Sequence, residues 1–212
     1  MAEPALPRPS KIVCVGRNYV AHARELGNDV PERPLLFLKP PSSVIRDGDR
    51  IVLPRDSQRV EHEAEIGIVI GRTARHVSAA EALSCVAGYL PVNDVTARDL
   101  QKLDVQFTRA KGFDTFCPIG TPAAHDDWRG LEVIGRVNGA VRQHGRAADM
   151  IFGIPDILAY VSRIMTLEPG DIIATGTPEG VGPLAPGDTV EIEIPGIGRI
   201  SNPVEAADDE HD

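Results

Sequence analysis

Length, composition and charge limit the classes to which this protein can belong. The chain has 212 residues, of which 42% are hydrophobic and 25% charged, as in an ordinary globular protein with one substantial core. Its formal net charge is −9, and it has no basic stripe that could neutralise phosphates, so nucleic acid is not expected as a partner. The 3 cysteines lack the spacing of a disulfide framework or a zinc site, and no apolar run is long enough to span a membrane.

The same features predict the domain organisation and the compartment. Residues 1–10 are proline-rich and lack the apolar core of a secretory signal. We expect a flexible N-terminus over 1–10, a single domain over 11–204 and an acidic disordered tail over 205–212. Unpaired cysteines and the lack of a signal favour a cytoplasmic protein with no membrane partner.

The predicted elements, taken in chain order, are mostly short strands. The first half is expected to contain a strand over 11–15, a helix over 18–26, a buried strand over 35–38, a hairpin over 45–54, a strand ending at 70 and a helix from Ser78 to Gly88 with a capping box. The second half is expected to contain strands over 90–95 and 131–137, a helix over 154–165, and strands over 171–174, 189–194 and 198–201. Strands outnumber helices without regular alternation, which predicts a β-rich mixed α+β fold and not a Rossmann or (β/α)₈ domain.

Carboxylates occupy alternate positions at the start of the strand over 59–70. Alternate side chains of a strand share one face, so Glu63 and Glu65 point the same way and could hold a hard cation between them. The alternative is a strand face bathed by water. The same alternation recurs over 191–194, before a turn, where we expect only a solvated face.

Two further residues could complete a cation site. Asp94 follows an apolar strand and could join Glu63 and Glu65 in a three-carboxylate cradle suited to Mg²⁺ or Mn²⁺; the alternative is an Asx turn. Lys111 could balance the remaining negative charge and help to bind an anionic substrate; the alternative is a surface lysine.

A histidine and a glutamate lie three residues apart in the first predicted helix. Glu25 could orient the imidazole of His22 as a base that activates water, and so short a helix could act as a lid; an exposed pair is the alternative. The glycine- and threonine-rich loop over 175–182 could offer N–H groups to a carboxylate. It lacks the Gly-Lys-Ser/Thr ending of a P-loop, so nucleotide is not expected.

Taken together, these segments resemble the fumarylacetoacetate hydrolase family from residue 11 to about residue 204. Five blocks occur in family order: Gly16-Arg17-Asn18-Tyr19, Phe37-Leu38-Lys39-Pro40, the Glu63-Ala64-Glu65 strand, Asn93-Asp94-Val95-Thr96-Ala97-Arg98-Asp99 with Lys111-Gly112-Phe113-Asp114-Thr115, and Thr175-Gly176-Thr177-Pro178-Glu179-Gly180-Val181-Gly182. The resemblance implies a single catalytic domain with the β-rich sandwich or roll of the family's C-terminal domain, a Mg²⁺ or Mn²⁺ cofactor and a homodimer.

The resemblance also implies roles for individual residues. Glu63, Glu65 and Asp94 match the metal ligands, Lys111 the active-site lysine, His22 with Glu25 the water-activating pair, and Gln101 a polar residue near the substrate, while Arg17, Lys39 and Thr177 are weaker matches to substrate contacts or supporting scaffold.

The branch most similar to this short chain is that of the acylpyruvate hydrolases and oxaloacetate decarboxylases. It implies metal-dependent hydrolysis of a carbon–carbon bond in a 2,4-diketo acid such as acetylpyruvate or fumarylpyruvate, giving pyruvate and a carboxylic acid. The alternatives are oxaloacetate decarboxylation, 2-hydroxyhepta-2,4-diene-1,7-dioate isomerisation or 5-oxopent-3-ene-1,2,5-tricarboxylate decarboxylation in aromatic catabolism, and a non-catalytic module that binds keto acids. The segments 94–111 and 145–148 depart from the family's pattern, which leaves the substrate open.

Overall fold

The computed structural model describes residues 9–207 as fifteen strands and five α-helices. The strands are β1 Ile12–Gly16, β2 Leu35–Lys39, β3 Val44–Ile45, β4 Ile51–Leu53, β5 Val60–His62, β6 Ala64–Ile70, β7 Val86–Asn93, β8 Thr96–Ala97, β9 Cys117–Pro118, β10 Glu132–Val137, β11 Ala140–Arg146, β12 Ile172–Ala174, β13 Gly182–Pro183, β14 Thr189–Ile194 and β15 Gly198–Ala206. The helices are α1 Val20–Glu25, α2 Ala79–Ala82, α3 Arg98–Leu103, α4 Thr108–Gly112 and α5 Ile154–Ile164.

Two five-stranded sheets carry the fold. The first has the order β2-β1-β12-β6-β7 and the second β11-β10-β14-β15-β4, while β13-β5-β8 and β3-β9 form small additional sheets. The large sheets pack on one another where β6 and β7 meet β10 and β14, so closely that a Cβ on Gly135 would lie 3.0 Å from the Cβ of Ala64. This architecture confirms the predicted β-rich mixed fold with few short helices.

The core explains why the apolar segments form these elements. β6 is buried along its whole length, with Ile66 and Ile68 facing the main core cluster and Val69 facing a second cluster. The prediction of α5 is confirmed: Pro155 occupies its first turn, and its apolar stripe lies in the core. The capping box at Ser78 is also present at the start of α2.

The hairpin predicted over 45–54 is wrong. The turn at Gly48 exists, with φ +83°, but the strands on either side of it do not pair with each other. β3 runs parallel to β9, and β4 runs parallel to β15. Turn residues fix a local change of direction, whereas strand partners are decided by where the apolar side chains become buried.

Other predicted bounds and burials also differ. β2 is not buried but forms the edge of the first sheet, and Leu35 and Leu38 are 37% and 47% exposed. The helix predicted to end at Gly88 stops at Ala82, and β7 already begins at Val86. β15 extends two residues into the predicted C-terminal tail, because its last residues pair with β4.

The end of the predicted flexible N-terminus is anchored, since Ser10 donates to Asp171 Oδ1 from its N–H at 2.9 Å and from its hydroxyl at 2.7 Å. Residues 1–8 and 208–212 of the two predicted termini lie outside the described residues. The three cysteines are buried, and none is paired with another. Within the described chain, no helix has the length and apolar character needed to cross a membrane.

Candidate metal centre and active site

Three carboxylates converge where β6 begins and β7 ends. Glu65 lies in β6, Glu63 lies between β5 and β6, and Asp94 follows β7, which pairs with β6 in antiparallel register. The backbone N–H of Asp94 donates to the carbonyl of Glu63 at 2.9 Å, which brings the two chains together at this point. One oxygen from each carboxylate lies within 4.8 Å of the others, and all three residues are buried.

Buried cationic side chains neutralise the negative charges of Glu63 and Asp94. Lys111 Nζ donates to Glu63 Oε2 at 2.7 Å and to Asp94 Oδ2 at 2.6 Å. Lys39 Nζ donates to the other Asp94 oxygen at 2.7 Å, and Arg98 donates to Glu63. Each lysine and arginine here is nearly inaccessible to solvent, so these are desolvated ion pairs.

Glu65 has no such cation among the described residues. Its Oε2 accepts only the backbone N–H of Gly176, at 2.8 Å. Burial, together with the negative charges of Asp94 and Glu63, raises the pKa of Glu65 well above its usual range. A buried carboxylate that lacks a cation is costly, so the cluster as it stands calls for one more positive charge.

The ion pairs have the opposite effect on their own members. Burial alone would raise the pKa of Glu63, but Lys111 and Arg98 outweigh it and hold that pKa well below the usual range. Burial likewise opposes the charged form of Lys111, yet the facing Asp94 and Glu63 raise its pKa overall. Lys111 is therefore a permanent cation at neutral pH.

The donor set fits a divalent oxygen-seeking metal. Mg²⁺ and Mn²⁺ prefer carboxylate oxygens, and this site offers three from separate side chains within 4.8 Å of one another. The Lys111 ammonium already lies against two of them, which shows that the cluster attracts a cation at this place. No other group of this kind is found among the described residues.

All nine residues predicted to form the site line one cavity of about 540 Å³. They are Arg17, His22, Glu25, Glu63, Glu65, Asp94, Gln101, Lys111 and Thr177. Lys39 does not line this cavity and reaches Asp94 from behind, so its position is that of supporting scaffold.

His22 and Glu25 form the predicted pair. The Nδ1 atom of His22 lies 3.3 Å from Glu25 Oε2 in α1, and the imidazole is almost fully buried at the cavity wall. The backbone N–H of Gly180 donates to both oxygens of Glu25, at 3.0 and 3.2 Å. This contact joins α1 to the loop after β12; movement of α1 as a lid stays a prediction.

Arg17, Gln101 and Thr177, the three residues expected near the substrate, differ in whether their polar groups already have partners within the protein. Arg17 has a left-handed backbone, with φ +59°, and its guanidinium has no ion pair with a described carboxylate. Gln101 accepts a hydrogen bond from Arg98 at 2.5 Å. The hydroxyl of Thr177 donates to the carbonyl of Ala64 at 2.9 Å, so it is engaged in the scaffold.

Sequence reasoning missed Arg98 and its partner Glu61. Arg98 Nε donates to Glu61 Oε2 at 2.7 Å while the same guanidinium holds Glu63. Glu61 belongs to the same alternation as Glu63 and Glu65, and a third carboxylate on one buried face requires a further cation. This need for a further cation could have been recognised from the sequence, although the sequence does not show which arginine supplies the charge.

Comparisons with known proteins show the family of the chain. The fumarylacetoacetate (FAA) hydrolase C-terminal family matches residues 11–205. Mitochondrial oxaloacetate tautomerase of Arabidopsis thaliana is 45% identical over 92% of this chain and 91% of its own. Mitochondrial oxaloacetate decarboxylase of Dictyostelium discoideum is 44% identical over 88% of this chain and 89% of its own.

A solved structure of a related enzyme contains a metal. Fumarylpyruvate hydrolase from Pseudomonas aeruginosa, in complex with Mn²⁺ and pyruvate, has a TM-score of 0.87 and 32% sequence identity, covering 93% of this chain and 90% of its own. The resemblance found in the five sequence blocks is thereby confirmed over nearly the whole chain. The chain belongs to the fumarylacetoacetate hydrolase family of enzymes, which act on small molecules.

Proposed function

We propose that this protein is a divalent-metal-dependent enzyme that enolises oxaloacetate, as a tautomerase or a decarboxylase. The observation that carries the proposal is the buried Glu63, Glu65 and Asp94 cluster, which opens into the same cavity as the His22 imidazole. The relatives named for oxaloacetate chemistry are more similar to this chain than the fumarylpyruvate hydrolase is. The fumarylpyruvate hydrolase is only 32% identical to this chain, so acylpyruvate hydrolysis becomes the second candidate.

The metal supplies one part of the chemistry. Mg²⁺ or Mn²⁺ held by Glu63, Glu65 and Asp94 would supply a Lewis acid for the 1-carboxylate and 2-keto oxygens of the substrate. We propose both ions as candidates, since the carboxylate set accommodates either.

His22 would move the proton. Its Nδ1 faces Glu25, so the N–H is assigned to Nδ1 and the lone pair to Nε2, the nitrogen available to a substrate. Nε2 would take a proton from C3 of oxaloacetate, and the electron pair of that C–H bond would form the C2–C3 double bond while the C2=O π pair moves onto the C2 oxygen. The resulting enolate would take up a solvent proton on that oxygen to give the enol. Glu25 keeps the ring oriented and stabilises its charged form.

Charged side chains would hold the substrate and its developing charge. Lys111 donates into the carboxylate cluster and remains protonated, so it can stabilise negative charge on the C2 oxygen. Arg17 lines the cavity without a described ion-pair partner, so it can receive the second carboxylate of a four-carbon diacid. The burial of Lys111 strengthens its contact.

Decarboxylation and tautomerisation share this arrangement and differ in the bond that breaks. In decarboxylation the C3–C4 bond breaks, CO₂ leaves, and the electron pair of that bond forms the C2–C3 double bond of an enolate. C3 would later receive a proton from a His22 imidazole that has taken one up from solvent on Nε2. Tautomerisation breaks only the C3–H bond. The assay must therefore follow the keto–enol change and pyruvate formation separately.

Acylpyruvate hydrolysis remains as a second candidate because of the His22–Glu25 pair. Such a pair can deprotonate a water for attack on a distal carbonyl, and the cavity of about 540 Å³ has room for a diketo acid. A relative named fumarylpyruvate hydrolase also shares the fold.

The test compares three substrates with Mn²⁺, with Mg²⁺ and with excess EDTA. The ultraviolet absorbance of the enol reports oxaloacetate tautomerisation and cleavage of acetylpyruvate or fumarylpyruvate, and a coupled assay reports pyruvate. A blank contains the metal without protein. We expect metal-dependent enolisation or decarboxylation of oxaloacetate to exceed cleavage of both diketo acids; the reverse order would overturn the proposal in favour of hydrolysis.

The His22 variant tests the assignment of the base. His22→Ala should lose on the order of 10²–10⁴ in kcat while Mn²⁺ binding, measured by calorimetric titration, is retained. His144→Ala is the matched control, because His144 also pairs with a glutamate, Glu132, at 2.9 Å but lies exposed on β11. Equal rates for the two variants would show that His22 is not the base.

The homodimer and the cytoplasmic location also stay predictions. The exposed edge strand β2, with Leu35 and Leu38 at its surface, supports a partner subunit at that edge. A non-catalytic keto-acid-binding module is disfavoured, since pure binding has no use for the oriented His22–Glu25 pair.

A further inference from the structure

Gln143 lies in the second sheet, outside every block that pointed to the site. It belongs to β11, is 1% exposed, and does not line the cavity. Its amide nevertheless makes four hydrogen bonds, which is the full capacity of an amide group. Oε1 accepts from the backbone N–H of Ala64 at 2.9 Å and from His62 Nδ1 at 2.9 Å; Nε2 donates to Thr177 Oγ1 at 2.7 Å and to the carbonyl of Pro178 at 2.8 Å.

The chemistry of the partners fixes the orientation of this amide. The N–H of Ala64 can only donate, so the atom facing it must be the oxygen of Gln143. The carbonyl of Pro178 can only accept, so the atom facing it must be the nitrogen. A flipped amide would place its NH₂ group against the N–H of Ala64 and its oxygen against the carbonyl of Pro178. Both contacts would be repulsive, which a buried site does not tolerate.

The amide joins two backbone segments that each serve the active site. Ala64 begins β6 and stands between Glu63, which precedes the strand, and Glu65, which lies in it. Thr177 also donates from its hydroxyl to the carbonyl of Ala64, so the two segments are joined through both backbone polar groups of the same residue.

The second segment is the loop that orients Glu65 and Glu25. Gly176 donates its N–H to Glu65, and Gly180 donates its N–H to Glu25. Both glycines have positive φ, +100° and +96°, and a Cβ on Gly180 would lie 2.0 Å from the carbonyl oxygen of Arg142. The path of the loop is thus tightly defined, and Gln143 holds it at Thr177 and Pro178, midway between the two donors.

We propose that Gln143 is a positioning residue that sets the relative placement of the metal cluster and the His22–Glu25 pair. The expected change in kcat for oxaloacetate rests on the proposed function. The expected change in Mn²⁺ affinity depends only on the carboxylate cluster. Loss of Gln143 should free the Thr177–Pro178 segment from β6, loosen the N–H contacts to Glu65 and Glu25, and so weaken metal binding and catalysis together.

The alternative is that Gln143 only stabilises the fold. The two roles are separated by Gln143→Met, which preserves length without hydrogen bonds, and Gln143→Asn, which keeps a buried amide too short to reach both segments. The control is Asn202→Leu. Asn202 is another 1% exposed amide in the second sheet, and it holds the carbonyls of Arg46 and Asp49 at 2.7 and 2.8 Å, away from the cavity.

The experiment measures the Mn²⁺ Kd by calorimetric titration, kcat and KM for oxaloacetate, and the Tm of each variant. For Gln143→Met we expect Mn²⁺ affinity and kcat each to fall about 10–100-fold, the usual effect of losing a partner that orients metal ligands. Gln143→Asn should fall between Gln143→Met and the parent. Asn202→Leu should lower the Tm and leave the Mn²⁺ Kd and kcat at the parent values.

The outcomes distinguish this inference from the proposed function. A parent-like Mn²⁺ Kd and kcat in both Gln143 variants, with only the Tm lowered as in Asn202→Leu, would overturn the positioning role. A parent protein that binds Mn²⁺ but does not turn over oxaloacetate would overturn the proposed function, while the Mn²⁺ Kd would still decide the role of Gln143. Should Gln143→Met fail to fold, Gln143→Asn gives the same comparison with a polar residue in place.

Discussion

Replacement of Lys39 by methionine tests whether buried charge compensation holds the metal cluster together. The Lys39 ammonium is inaccessible to solvent and donates to Asp94 Oδ1 at 2.7 Å and to the Val95 carbonyl at 3.1 Å. Methionine has a similar length and fills the same space, but it leaves both acceptors without their donor. Lys111 remains on the other oxygen of Asp94, so half of the compensation is kept.

The size of the effect follows from burial. Breaking a buried ion pair by removing one partner costs about 3–5 kcal/mol, because the other charge stays in the interior. For a chain of this size, 1 kcal/mol corresponds to a Tm shift of about 2–4 °C, so Lys39→Met should lower the Tm by roughly 6–20 °C in EDTA. An exposed pair serves as control: Arg50 binds Glu205 at 3.0 Å at the surface, and Arg50→Met should cost about 0–1 kcal/mol.

Thermal unfolding by circular dichroism, with EDTA and with excess Mn²⁺, is the assay. Mn²⁺ at 100 times its Kd should stabilise each variant that still binds it, and the parent, by about 2.7 kcal/mol, because it binds only the folded state. The double variant Lys39→Met with Asp94→Asn should lose less stability than the sum of the single variants, because neither charge is left unpaired. A Lys39→Met protein that unfolds at the same temperature as Arg50→Met would refute the reasoning.

Two further predictions concern pH. Burial raises the pKa of Glu65, and a metal binds only its deprotonated form, so the Mn²⁺ affinity measured by titration should fall as the pH is lowered through that raised pKa; Glu65→Gln should bind more weakly and lose this dependence. Burial alone would raise the pKa of Asp171, but donors from Glu168, Lys11 and Ser10 lower it overall. Its carboxylate therefore stabilises the fold above its ordinary pKa, and this contribution is lost as the pH falls through the lower folded-state value. Asp171→Asn should lose about 1–3 kcal/mol in urea unfolding at pH 7, with a smaller difference below about pH 4, and an equal difference at both pH values would contradict this account.

The shared face of the carboxylates could be predicted from the sequence because its causes are mostly local, whereas their role as metal ligands came from the family resemblance. Alternation places Glu63 and Glu65 on one face, and Asp94 follows the strand that becomes the antiparallel neighbour of β6. The same applies to α5 and to the turn at Asn138-Gly139, where both residues have positive φ. In each case a few neighbouring residues settle the structure.

Residues whose role depends on distant pairing could not be predicted in this way. Gln143 reaches the site only because β10 packs on β6 and brings β11 within hydrogen-bonding distance of Ala64. The edge position of β2 likewise depends on the strand order, and nothing in an apolar run of four residues reveals it. These features arise from tertiary packing, which local patterns do not encode.

The two glutamate alternations show what local pattern leaves undecided. In β14, Glu193 pairs with Arg136 at 2.7 Å and Glu191 pairs with Arg199 at 3.1 Å, on a partly exposed face, while Ile192 on the other face enters the core. The strand over 59–70 has the same spacing, but β6 is covered on both faces. Its carboxylates therefore cannot be satisfied by water and instead recruit Lys111, Arg98 and, in our proposal, a divalent ion. What makes one pair a candidate site and the other a surface is the second covering layer, which only the complete fold supplies.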